Sequence, residues 1–285
     1  MSLRADVTPA ASARPNRVLP GFAPTLGLTL FYLSLLVILP LAALAVEAAG
    51  IGPVRALDLL LSPRVAAAFR VSFGIASLAA LANGGIGLLV AWVLVRYDFP
   101  GRRLMDAIVD LPFALPTAVA GIALTSLYAN TGWIGGPLAK AGVAIAFTPL
   151  GIFVALLFVG LPYVIRTVQP VIADLEPEAE DAALTLGASS WQTFRRVIAP
   201  PVLPAVLTGM ALAFARGVGE YGSVIFIAGN LPGVSEIVPL LIVVHLEQFD
   251  YAGAAMLATA MLAASFAILL LINLLQAWNR KRHGG

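Results

Sequence analysis

The sequence predicts an all-α membrane protein of six transmembrane helices with both termini in the cytoplasm. Three observations lead there. The chain of 285 residues is 60% hydrophobic and only 11% charged, whereas a soluble domain carries about 25% charged residues. Charge-free apolar windows recur at close to the ~20 residues that a helix needs to cross hydrocarbon. Lys and Arg are crowded into alternate connections between those windows.

Taken in order, residues 1–22 carry Arg4, Arg14 and Arg17 among Pro9, Pro15 and Pro20, and read as a basic cytoplasmic tail. The transmembrane domain is then 23–285. Leu26 to Val46 is the first span. Ala43-x-Ala45 near its end has the spacing of a signal-cleavage site, but the run is long for a signal core, so it is read as a retained helix. Val71 to Val95 is the second span, Leu111 to Ala129 the third and Pro149 to Ile165 the fourth. The fifth runs from Pro201 to about Ala228, and Ala254 to Trp278 is the last. Ile237 to Val244 is apolar but too short to cross, which makes it an interfacial or re-entrant piece on the outer side.

Six spans put both termini on one side. That side collects Arg4, Arg14, Arg17, Arg96, Arg102, Arg103, Arg166, Arg195, Arg196, Arg280, Lys281 and Arg282. The other side holds Arg55, Arg64 and Lys140, with Arg70 at the boundary of the second span, where its charge would snorkel outward. Positive charge stays in the cytoplasm, so the arginine-rich side is cytoplasmic.

The long polar run 174–201 falls on that cytoplasmic side. Pro177 suits a first helical turn, and Glu176, Glu178, Glu180 and Asp181 place negative charge at the positive helix end. Ala179, Ala182, Ala183 and Leu186 recur at i, i+3, i+4 and i+7 as one apolar stripe. Gly187 is a helix stop. Ser189 and Gln192 have the spacing of a capping box, so a second helix starts there and is expected to end at Pro200 and Pro201. Acid on the polar face would be repelled by anionic lipid, and an Ala-built stripe suits close docking on a protein.

Only the fifth span carries charge at its centre, Arg216 and Glu220. Four apart on one helix, they share a face and can pair. Two readings stay open: a structural ion pair, or an Arg216 that offers positive charge to a passing anion while Glu220 tunes it. Gly217, Gly219 and Gly222 around them allow close helix approach or a flexible point. In the third span Pro112 and Pro116 are expected to kink the helix, with Thr117 satisfying a freed carbonyl. Pro112, Pro116, Thr117, Arg216 and Glu220 are therefore the candidate pathway residues.

Cysteine is absent, which excludes disulfides, thiolate metal sites and cysteine nucleophiles. No HExxH or G-x-S-x-G is present, so an intramembrane hydrolase is not supported, and no G-x-x-x-x-G-K-[ST] loop is present to bind ATP.

Asp181-Ala182-Ala183, Gly187 and Val197-x-Ala199-Pro200 resemble the EAA loop of bacterial ABC importer permeases, which runs Glu-Ala-Ala, three residues, Gly, nine residues, Ile-x-Leu-Pro. The spacing is intact; Asp181, Val197 and Ala199 depart in identity. RYDFPGRRLMDAIVDLPFALPTAVAG from Arg96, RTVQPVI from Arg166 and FARGVGEYGSVIFIAGN from Phe214 are similar to the sulfate/thiosulfate importer permeases, T-type, and the likeness extends from about Val18 to Gln276. The resemblance implies the type I ABC importer permease fold and a coupling helix docked on a cytoplasmic ATPase through Glu178, Asp181, Ala182, Ala183, Gly187 and Pro200. It further implies a W-type permease partner, two ATPase subunits that use the ATP, and a periplasmic sulfate- or thiosulfate-binding protein. Transport by alternating access across the bacterial inner membrane would follow. Membrane lipid surrounds the chain, and no metal, cofactor or nucleic acid is expected on it. Molybdate and tungstate permeases share the outline and are the alternative; an ion-coupled secondary transporter would need no ATPase.

Overall fold

In hydrocarbon every backbone N–H and C=O must be bonded within its own segment, which selects helices. The computed structural model describes residues 22–283, and all regular structure among them is helical. The tail 1–22 lies almost wholly outside the described residues. Two compact units divide the chain, 1–44 and 45–285.

Among its described residues the first unit is apolar helix throughout. α1 (Phe22–Leu33) passes through a π turn at Ser34–Ile38 into α2 (Leu39–Ala49), whose second residue is Pro40. Proline lacks an N–H and clashes with the carbonyl four residues back, and a widened turn removes both problems without ending the helix.

In the second unit α3 (Pro53–Leu61) precedes α4 (Pro63–Arg96). Pro63 sits in the first turn of α4, and the hydroxyl of Ser62 accepts from the Val65 N–H to cap it. α4 packs against α9 (Pro149–Ala173) and α12 (Ala199–Val218), and these three helices form the centre of the core, joined by buried residues between Val224 and Met261. Lipid tails are as apolar as leucine, so the association rests on close fit rather than on hydrophobicity. Glycine supplies the fit. A Cβ on Gly209 would stand 2.7 Å from the Cα of Val164, and one on Gly87 would stand 2.7 Å from Cγ1 of the same valine. Gly160 packs in the same way onto the fully buried Asn83, and Gly84 onto Met210.

Between α4 and α9 the chain is broken into short pieces: α5 (Arg102–Val109), α6 (Leu111–Ala114), α7 (Thr117–Tyr128) and α8 (Gly135–Lys140). The window expected to form a third span is thus two helices. Leu115 is extended, at φ −82° and ψ 133°, because the residue before a proline is driven out of the helical region, and Pro116 then caps α7. Pro112 fits the first turn of α6 and bends nothing. The expected kink is a break. Twelve residues in α7 reach about 18 Å, short of the ~30 Å hydrocarbon.

The other expected spans are helices: Pro24–Ala49, Pro63–Arg96, Pro149–Ala173, Ser190–Val218 and Tyr251–Leu274 are the five, among the described residues, long and apolar enough to cross. The fifth expected span also ends early. α12 stops at Val218, and residues to Ala228 form a turn and α13 (Val224–Ile227). α14 (Val238–Glu247) buries Val238 and Leu241 and packs on α15 (Tyr251–His283).

Arg166, near the end of α9, ties the broken region to the core. Its Nε and Nη2 donate to the two carboxylate oxygens of Asp110 at 2.8 and 2.6 Å. Its Nη1 donates to Asp106 Oδ1 at 2.7 Å and to Gln169 Oε1 at 2.6 Å. The Gln169 amide donates to Asp106 Oδ1 in turn, at 3.0 Å. That amide bond, with the Arg166 guanidinium beside it, holds the Asp106 carboxyl below its ordinary range despite partial burial.

Two outcomes follow from these contacts. Gly209→Ala should lower the stability of the purified protein by about 1–3 kcal/mol, since backbone opposite cannot yield. Gly85→Ala, with no atom within 4 Å of the new Cβ, should leave it nearly unchanged; thermal unfolding in detergent compares them. Because the folded pKa of Asp106 is depressed, its contribution is fully present above the ordinary value of 3.8 and disappears as pH falls through the lowered folded value. The stability difference between wild type and Asp106→Asn should therefore be full at neutral pH and close only in strong acid.

Candidate functional site

The polar loop forms as its residues dictate. α10 (Pro177–Thr185) starts with Pro177 in the first turn and Glu178 and Glu180 beside it. It ends in a Schellman turn: the Gly187 N–H bonds the Leu184 carbonyl and the Ala188 N–H bonds the Ala183 carbonyl, both at 3.0 Å. Gly187 takes φ +80°, which a residue with a Cβ adopts only under strain. The capping box is complete, with the Ser189 N–H donating to Gln192 Oε1 at 2.8 Å and the Gln192 N–H to Ser189 Oγ at 3.3 Å.

One expectation is corrected here. α11 (Ser190–Thr193) does not end at Pro200 and Pro201; it widens into a π turn at Phe194–Ile198 and continues as α12. The Ala199 N–H reaches the Phe194 carbonyl five residues back. The two prolines then enter the first turn of the resumed α-helix, where neither needs a donor. Arg195 and Arg196 lie in the wide turn.

On α10, Glu178, Asp181 and Ala182 are exposed and Ala183 is half-buried. Leu184, Leu186 and Trp191 are exposed too, Leu186 to 88%. The stripe read from the sequence is therefore largely uncovered on this chain. Glu180 faces the other way and accepts a bond from Arg96 at the end of α4. Arg96 lies over the ring of Trp92, 5.1 Å from its centroid, and Phe194 packs between Trp92 and Trp191. Sequence reading used Arg96 only to count charge. Its pairing with an acid 84 residues away left no local signal.

The second candidate set lies at the far end of α12. Arg216 Nη1 pairs with Glu220 Oε2 at 2.6 Å, as the spacing suggested. The helix does not carry both, however: it ends at Val218, and the pair bridges the break. The other oxygen of Glu220, Oε1, accepts from the N–H and hydroxyl of Ser223 at 2.8 and 2.9 Å. Glu220 thus bonds through both oxygens with its side chain 1% exposed, while that of Arg216 stays 33% exposed. The remaining guanidinium nitrogens of Arg216 bond nothing among the described residues.

α7 closes over this break. Gly121 packs on the backbone of Ser223, where a Cβ would stand 2.8 Å from the Ser223 Cα, and the Thr117 side chain lies against Gly222. The Thr117 hydroxyl therefore meets a glycine, and among the described residues it bonds no freed carbonyl. Pro116 and Thr117 are brought to the Arg216–Glu220 break; Pro112 in α6 is not, and the α10 residues form a separate site.

Glu236 and Asp250 each find a basic partner on another element. Buried Glu236 accepts from Arg64 Nε at 2.8 Å and Nη2 at 2.6 Å, and Ser72 Oγ accepts from the Val238 N–H at 2.9 Å. These pin the 229–237 connection onto α4. Asp250 meets Arg55 at 3.0 Å and His245 at 2.9 Å. Arg70 is exposed and bonds its own helix at the Ala66 carbonyl.

Comparison with known proteins places this geometry. Residues 83–284 match the family described as binding-protein-dependent transport system inner membrane component. The chain is 48% identical over 268 residues to the sulfate transport system permease protein CysT of Escherichia coli, covering 94% of this chain and 96% of that protein. It is 50% identical to the protein of the same name from Synechocystis, covering 89% and 88%. Among solved structures, a bacterial ABC transporter involved in the import of the acidic polysaccharide alginate superposes with a TM-score of 0.72 at 15% identity, over 89% of this chain and 94% of that one. With the helical core, the long apolar helices and the profile all in agreement, this multi-pass membrane chain belongs to the family of binding-protein-dependent transport system inner membrane components.

Proposed function

We propose that this chain is a permease subunit of an ATP-driven importer that moves sulfate or thiosulfate across the bacterial cytoplasmic membrane by alternating access. The observation that carries the reading is identity near one half, over most of both chains, with sulfate transport permeases. The chain has no nucleotide-binding loop, so ATP is used by two partner ATPase subunits. A W-type permease completes the pathway, and a periplasmic sulfate- or thiosulfate-binding protein delivers the anion. With α6 and α7 together as the remaining crossing, the chain has six passes and both termini in the cytoplasm.

The uncovered face of α10, with Asp181, Ala182 and Ala183 above the Gly187 turn, is the surface that meets the ATPase. ATP shifts the permease only if that surface binds differently in the two ATPase states. The loop is suited to pass displacement onward. Arg96 links it to α4, and the helix from Ser190 runs to Val218 without a loop, so a push at the cytoplasmic end is delivered at the Arg216–Glu220 break. There the open side of Arg216 offers donors to a passing oxyanion, with Pro116 and Thr117 on the facing helix. Glu220, bonded through both oxygens, holds the guanidinium in place.

Three measurements test this. In the purified complex, sulfate or thiosulfate on its binding protein should stimulate ATP hydrolysis and molybdate should not; stimulation by molybdate alone would reassign the cargo. Gly187→Val forces a Cβ into the left-handed region at about 1–2 kcal/mol and should leave the protein in the membrane while uncoupling ATP hydrolysis from uptake. Gly187→Asn, which tolerates that conformation, should retain most transport. Arg216→Ala strands a buried carboxylate, a loss of about 3–5 kcal/mol, so it should accumulate poorly. Arg216→Met with Glu220→Gln removes both charges and should accumulate normally yet import slowly; uptake at the wild-type rate would make the pair purely structural.

A further inference from the structure

Asn83 lies well inside the crossing helix α4 and is 0% exposed. Neither its amide nitrogen nor its amide oxygen bonds anything among the described residues. Elsewhere in the second unit Ser72, on the same face of α4, takes the Val238 N–H, and Glu220 and Glu236 bond through both carboxylate oxygens. In hydrocarbon no water can stand in, so an unpaired buried amide disfavours the state that contains it by about tenfold.

The helix facing Asn83 has a matching gap. α9 carries Pro162 in its interior, and proline has no N–H, so the Phe158 carbonyl four residues back lacks its helical donor. Thr167, the one threonine of α9, does not replace it; its hydroxyl donates to the Tyr163 carbonyl at 2.6 Å. Asn83 meets α9 at Gly160, between Phe158 and Pro162, where a Cβ would run into its amide nitrogen. Neither Gly160 nor its neighbour Ala213 on α12 has a side chain able to bond that amide. A donor without an acceptor thus stands two residues, about 3 Å along the axis, from an acceptor without its helical donor.

We infer that Asn83 is a catch for a second position of α4 against α9, in which its amide donates to the Phe158 carbonyl. The inference rests on the alternating access proposed above. A chain with one fixed arrangement would be more stable with leucine at 83 or a helix former at 162. Keeping both defects side by side has a use when the two groups meet in the other state. Packed helices shift by about 1–2 Å in such transitions, and rotation of the amide makes up the rest. Gly160 leaves no side chain in the way. In the described position the amide is unpaired, so the catch draws the helices toward the other position.

Import of labelled sulfate by the assembled complex in proteoliposomes, with ATP hydrolysis followed alongside, tests the catch. Asn83→Leu, branched at the same carbon, should raise the thermal midpoint of the nucleotide-free complex and slow ATP-driven import about tenfold. Pro162→Ala supplies the missing N–H to the Phe158 carbonyl and should do the same. The double variant should be no slower than either single one, because each removes the same bond. A lowered midpoint in both single variants, import at the wild-type rate, or additive slowing would overturn the catch. ATP hydrolysis without import in the wild type would overturn the transport reading, and the catch with it.

Discussion

Everything in the second unit depends on how near α9 can come to α4 and α12. Val164 is the point of convergence, with Gly87 on one side and Gly209 on the other, each close enough that a single methyl group would collide. Within a bilayer no hydrophobic force brings helices together, so this contact must be made by shape, and shape needs residues with almost no side chain. Met210 and Asn83 fill the larger gaps that Gly84 and Gly160 leave open. Around these three helices, apart from the long α15, the remaining pieces of the second unit are short.

What fixes the short pieces is charge. Arg166 holds α5 and α6, Arg96 holds α10, and Arg64 holds the connection that carries Glu236. In each case an arginine on a long helix reaches an acid on a short element. The guanidinium fork suits this work because it bonds both oxygens of one carboxylate in a fixed plane, as Arg64 does with Glu236 and Arg166 with Asp110. Such pairs add little net stability once desolvation is counted. Their effect here is to choose one position for elements that apolar packing alone would leave loosely specified.

Local chemistry was the legible part. The cap at Ser189, the stop at Gly187 and the acids Glu178 and Glu180 in the first turn of α10 each follow from a few adjacent residues, and each stands where it was read. The failures have a common cause. A hydropathy window cannot distinguish a continuous helix from two pieces of the same composition, so the break at Leu115–Pro116 and the early end at Val218 were hidden inside apolar runs. The spacing of Arg216 and Glu220 suggested a pair, and a pair is present, but on a bend and not along a helix. Ion pairs linking distant parts of the chain could not be read at all, because no single window contains both partners.

The wide turn at Phe194–Ile198 has a geometric consequence. It holds one residue more than an α turn, and each residue of helix corresponds to about 100° of rotation. Side chains before it and after it therefore do not continue one another's stripe: Trp191 is exposed, while Val202 and Val206 are buried against the core. The loop end and the core end of this long rod are each aimed to suit their own surroundings, and the prolines that would interrupt an ordinary helix mark the place where the two directions are reconciled.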